Sequence, residues 1–166
     1  MHAVRAGILL GVLVAIWTFV MGLTGWYRHP VLLFLFFLVI PIQFGVILWA
    51  LGKTAPVQGF GAQFRDGVLL SVVASVIVFF SSFLFTEVAF PGYFQDLRAV
   101  QEQALRQAGK TEVEIQTMLN TAAAGMNSMS QAMNGVIGTI VTGIVLSLIV
   151  AAIARKKPSP GTATPA

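Results

Sequence analysis

Four long apolar runs, with two short polar links and one long polar stretch between them, set the pattern of this chain. The first, Ala6 to Leu23, carries no charge. At about 1.5 Å rise per residue it covers most of a roughly 30 Å hydrocarbon core. The second, Val31 to Leu51, follows a turn at Arg28-His29-Pro30, and the third, Val68 to Phe90, is stopped by Pro91-Gly92. The fourth, Val136 to Ala154, ends at Arg155-Lys156-Lys157. Pro158-Ser159-Pro160-Gly161 then breaks any helix and opens a tail, 158–166, that the composition predicts to be disordered. In hydrocarbon each backbone amide must bond within its own helix or within a closed barrel, and these runs lack the alternation of barrel strands. The pattern therefore predicts an all-α polytopic membrane protein. Residues 1–157 form a single four-helix membrane domain with spans at about 6–26, 31–51, 68–90 and 134–154.

The long polar stretch predicts an extramembrane helical hairpin, a helical insertion at about 92–131 between the third and fourth spans. Tyr93 to Ala108 is rich in Gln, Glu, Arg and Leu, and Gly109 is placed as its C-terminal cap. Thr111-Glu112-Val113-Glu114 has the spacing of a capping box and opens a second helix. Its apolar positions, Ile115, Met118, Leu119, Ala122, Met126, Met129 and Met133, recur at three-and-four spacing. No proline follows before Ala154. The pattern thus allows this helix to run into the fourth span as one rod, with weak points at Gly125 and Asn134-Gly135.

Composition agrees with the pattern: hydrophobic residues are 57% of the chain and charged ones 10%, which excludes a soluble domain. Arg5 gives the first run a basic start of the kind signal peptides have, but the run is too long and no small-x-small site follows, so an uncleaved anchor is expected. Basic residues are retained on the cytoplasmic side of a membrane. Arg5, Lys53, Arg65, Arg155, Lys156 and Lys157 share one side, against Arg28, Arg98 and the more distant Arg106 and Lys110. Both termini are expected in the cytoplasm. Trp26, Tyr27 and Tyr93 would then line the outer interface and Trp49 the inner one. The net charge of +4 reflects this retention signal, and no basic face interleaved with stacking aromatics points to nucleic acid. The expected partners are the lipid bilayer and a membrane protein or further copies of the chain. Cysteine is absent, which removes thiolate ligands and thiol nucleophiles.

Few polar residues interrupt the spans. Gln43 follows Pro41 by two positions, where proline frees a carbonyl; the side chain would bond that backbone or a neighbouring helix. Glu87, the acidic residue within an apolar run, is a functional candidate by type, although its nearness to Pro91 suits an interfacial position. Small residues recur every four positions at Gly135, Thr139, Gly143, Ser147 and Ala151, again at Gly7, Gly11 and Ala15, and at Gly67, Ser71 and Ser75. Such ribbons permit close helix approach, within a bundle by default or between copies. Met126, Met129 and Met133 have the softness of Cu(I) ligands, yet methionine at helical spacing is more often packing, and no His or Cys lies among them. No metal or cofactor is expected.

Several stretches together resemble one bacterial family, catalogued as domain of unknown function 4199, over nearly the whole chain up to the basic tail. They are Gly59-Phe60-Gly61-Ala62-Gln63-Phe64-Arg65-Asp66-Gly67, Phe90-Pro91-Gly92-Tyr93-Phe94-Gln95-Asp96 and Gly109-Lys110-Thr111-Glu112-Val113-Glu114-Ile115. The resemblance implies a bacterial inner-membrane protein of four helices with an insertion before the last, and carries no activity or site residue with it. Three functional classes follow. A non-catalytic packing, scaffold or accessory protein is preferred; a small oligomeric transporter or channel using Pro41, Gln43 and Glu87 is the alternative. An enzyme is not expected: His2 and His29 sit at segment ends, and no HExxH, GxSxG or paired-carboxylate pattern occurs.

Overall fold

The computed structural model describes residues 2–55 and 57–153. The basic triplet at 155–157, the end of the fourth run at Ala154 and the 158–166 tail lie outside the described residues. Among these residues every regular element is helical. Helix α1 (His2–Leu23) is followed by a 3₁₀ turn (Trp26–Arg28), a 3₁₀ segment (Leu32–Leu38) that leads into α2 (Val39–Thr54), and α3 (Phe60–Leu84), which closes in a π turn (Phe85–Ala89). Helices α4 (Tyr93–Gln107), α5 (Glu112–Ala123) and α6 (Ser128–Ile153) complete the chain. Four stretches are long and apolar enough to cross a membrane: His2–Leu23, Leu32–Thr54, Phe60–Ala89 and Ser128–Ile153.

Helix α3 is the hub, packing most extensively against α6 and α1. The glycines set the directions. Gly7 lies against Leu70 and Val73, Gly11 against Ala74 and Ile77, and Gly22 against Phe85, so α1 and α3 run parallel. Gly67 meets Ser147, Gly143 meets Ser71 and Gly135 meets Val78, so α3 and α6 run antiparallel. The spans alternate in direction, and His2, Thr54, Phe60 and Ile153 fall at one end of the bundle. Between the helices Leu10, Ile47, Leu70, Ala74 and Val150 are completely enclosed. The opposite faces expose Ile16, Val76, Phe80 and Ile137. A helix apolar on both its packed and its exposed face suits lipid rather than water.

Three departures from the sequence expectation have local causes. Helix α3 begins at Phe60, not near Val68, because polar Gln63 and Asp66 find partners in the preceding link: Gln63 Nε2 donates to the Gln58 carbonyl at 3.1 Å, and Gln58 Nε2 to Asp66 Oδ2 at 3.0 Å. The second span opens as a 3₁₀ segment, which places Pro41 in the first turn of α2 rather than within a helix. A proline there lacks an N–H that early helical positions do not use. Last, α5 and α6 are separate. The chain breaks over 124–127, at the weak point Gly125, and Asn127 Oδ1 accepts from Ser130 N at 2.9 Å to start α6 anew.

The α4–α5 connection follows from its residues. Gly109 takes φ +73°, and Lys110 N and Gly109 N donate back to the Leu105 and Arg106 carbonyls at 3.2 and 3.0 Å, the paired bonds of a left-handed glycine cap. Thr111 N donates to Glu114 Oε2 at 2.9 Å while Thr111 Oγ1 accepts from Glu114 N, closing the capping box. Arg106 bridges to Glu112 at 3.1 Å and Arg98 donates to Asn120, so the two helices lie antiparallel. Val100, Ile115 and Leu119 are buried.

Candidate functional site

Two constellations bring polar side chains together. The first is a seam where α2, α3 and α6 meet. Gln43, 3% exposed, donates from Nε2 to the Thr139 carbonyl at 2.9 Å and accepts at Oε1 from Thr142 Oγ1 at 2.8 Å. Both ends of this amide are satisfied, a condition for burying it cheaply. Gly143 makes room: a Cβ there would lie 2.9 Å from Gln43 Nε2 and collide with Ser71. Ser71 Oγ donates to the Gly67 carbonyl at 3.0 Å, and Ser75 Oγ to Val72 at 2.8 Å, so these hydroxyls are spent on their own helix. Ser147 Oγ is buried against Gly67 and has no partner among the described residues. The ribbon residues Gly7 and Gly11 lie instead on the α1–α3 contact.

A carbonyl of the 3₁₀ segment is met by a residue that spacing did not single out. Trp17 Nε1 donates to the Leu35 carbonyl at 2.9 Å, and Val39 N–H turns back to Phe36 and Phe37. No short-range signal links Trp17 to Leu35. Only the packing of α1 on the 3₁₀ segment joins them.

The second constellation is a knot at the end of the bundle opposite His2 and Ile153. Tyr27 and Tyr93, expected at the lipid interface, are 1% and 4% exposed and pack with Phe85 and Phe90. Gly22 leaves the space for these rings, since a Cβ there would come within 2.5 Å of both Phe85 and Phe90. The correction has a physical reason: Tyr27 finds a polar partner inside the protein. Its hydroxyl donates to Asp96 Oδ2 at 2.7 Å, and Arg28 Nε reaches the same oxygen at 3.0 Å. Burial and the Asp96 carboxylate raise the Tyr27 phenol above its ordinary value, while burial pushes Tyr93 up to about 12. Hydrogen bonds to Tyr27 and Asp96 raise the Arg28 guanidinium further. Both phenols stay neutral and the carboxylate holds α4 to the turn after α1. Trp49, by contrast, is half exposed with Lys53 Nζ 4.0 Å from its ring centroid, the pose of an interfacial aromatic.

Glu87 is not brought to Gln43. It sits in the π turn on an exposed face, beside Leu84 and Val88, without a bonded partner among the described residues. At about 1.5 Å per residue, the stretch of α3 from Ser71, at the level of Gln43, to Glu87 covers roughly 24 Å. Met126 lies in the break between α5 and α6 while Met129 and Met133 are on α6, so the three thioethers do not line one helix. A cavity of about 10 Å³, lined by His2, Thr54, Asp66 and apolar neighbours, lies where α1, α2 and α3 meet and has room for about one water.

Four apolar helices around a polar seam centred on the doubly bonded Gln43 amide define an integral membrane helical bundle. The chain belongs to the family described as protein of unknown function (DUF4199), whose profile matches residues 5–156. No curated protein and no solved structure matches it.

Proposed function

We propose that this chain is a non-catalytic packing, scaffold or accessory protein of the bacterial inner membrane. In this reading both termini face the cytoplasm, and the α4–α5 pair stands outside the hydrocarbon on the outer side as the surface a membrane protein partner meets. The observation that carries it is how the polar groups are used. Gln43 is bonded at both ends of its amide inside the bundle, while Asp96, Tyr27 and Arg28 clamp α4 to the membrane domain. Polar side chains spent on packing leave little for a pathway, and a clamped polar helix presents a preorganised surface, which lowers the cost of binding. The transport alternative would need Gln43 and Glu87 to share a route, and they stand on different faces and at different depths.

Affinity purification from inner membranes in mild detergent tests the proposal. A protein recovered with the wild type and lost with Asp96→Ala, at unchanged helix content, is the expected result. Wild-type protein in proteoliposomes that dissipates a pH gradient, with the flux abolished by Glu87→Gln at unchanged stability, would instead establish transport.

A further inference from the structure

At the end of the bundle that carries α4 and α5, the charges pair off almost completely. Asp96 takes Arg28, Glu102 and Glu112 take Arg106, and Glu114 takes Lys110. Two opposite charges there lack an ionic partner among the described residues. Glu87 has none, and Arg98 reaches only the neutral amide oxygen of Asn120, at 3.3 Å. A guanidinium carries five N–H donors, so that single bond leaves most of its capacity unused. The carboxylate lies on an exposed apolar stripe of α3 formed by Phe80, Leu84 and Val88, which are 67%, 49% and 69% exposed. An apolar stripe alone is ordinary for a helix in lipid. A carboxylate on that stripe, with a cation lacking an ionic partner at the same end of the same molecule, suits a self-complementary contact: a two-fold axis brings residue i onto j and j onto i, so the pair forms twice and each leftover charge gains one partner.

We propose that a second copy of this chain docks on this face, with Glu87 of each copy paired to Arg98 of the other and the Phe80–Leu84–Val88 stripes covered between them. Within the π turn Phe85 and Thr86 are buried while Glu87 and Val88 are exposed, so the carboxylate is accessible to a neighbour. Charge complementarity at the rim sets register and partner choice, and the apolar stripe supplies the contact area. The contact stands whether or not the outer helix pair also holds another protein.

The experiment uses the full chain in lipid-supplemented detergent micelles, with mass measured by light scattering across a concentration series. Wild type is expected to form dimers. Glu87→Arg and Arg98→Glu should each be monomeric, with dissociation constants raised at least tenfold, because each juxtaposes like charges. Mixing these two variants should restore dimers, since both crossed pairs are then again of opposite sign. Circular dichroism and thermal unfolding verify folding; should Arg98→Glu fail to fold, the Glu87→Arg and Glu87→Gln variants still read the contact from the carboxylate side. A monomeric wild type overturns the proposal, as does dimerisation of folded Glu87→Arg at wild-type strength or failure of two folded variants to associate on mixing. A monomer whose Glu87 responds only to aminophospholipid content would assign the carboxylate to headgroups and likewise end the proposal.

Discussion

At the residue scale, small side chains and one amide decide how closely the helices approach. Gly143 has Ser71 and Gln43 against the place where a Cβ would stand. Gly143→Leu is therefore expected to lower the unfolding temperature in detergent sharply, whereas Val145→Leu, on the half-exposed face, should leave it unchanged. Ser147→Ala is expected to cost nothing and to gain up to about 1 kcal/mol, because it removes a buried hydroxyl without a partner. Gln43→Leu should cost roughly 1–2 kcal/mol, since two interhelical hydrogen bonds go and the Thr139 carbonyl loses its side-chain donor, while the Thr142 hydroxyl keeps the Gly138 carbonyl. Thermal unfolding of the four variants side by side checks the order. Equal values for Gly143→Leu and Val145→Leu would remove the ribbon from the account.

At the scale of elements, two caps and one knot hold α4 and α5. The Thr111 amide and hydroxyl, with Lys110, hold the Glu114 carboxyl below its ordinary range. Its share of helix stability is thus present above the usual glutamate value and is lost as pH falls through the lowered one. Thr111→Ala should loosen the first turn of α5 by about 1 kcal/mol, read as faster protease cleavage within 112–123. The knot responds in the opposite direction of pH. With Tyr93 raised to about 12 by burial, its contribution is complete below the ordinary tyrosine value and is lost as pH rises through about 12. A phenolate absorbance titration should show both tyrosines ionising above the ordinary value, and Tyr93→Phe should remove the later step. Early titration of both would mean that the aromatic knot is open in solution.

At the scale of the molecule, alternating helix directions place the described ends of α1 and α6 together and α4–α5 at the far end. The basic residues predict which side each end faces. In this cysteine-free chain, a cysteine introduced at Gln103 is expected to react with an impermeant thiol reagent added outside intact cells, and one at Ser159 to be protected. The reverse pattern would invert the orientation, and partial labelling of both would indicate insertion in two senses.

Hydrophobic pattern by itself determined the number and order of the spans, because hydrocarbon demands internally bonded helices and sufficient length, and both are properties of a contiguous run. The Gly109 cap and the Thr111–Glu114 box were legible for the same reason: their partners lie within a few residues. What the tertiary structure alone decided lies where partners are distant in sequence. Trp17 finds Leu35, Gln43 finds Thr139 and Thr142, and Tyr27 finds Asp96 only after the helices have packed. The break between α5 and α6 and the early start of α3 belong to the same class, since each is stabilised by side-chain bonds that spacing alone does not rank above a continuous or a shorter helix. Glu87 shows the boundary clearly. Its sequence neighbours announced an acidic residue in an apolar run, but only the packing of α3 against α1 and α6 decided that this carboxylate faces outward rather than toward Gln43.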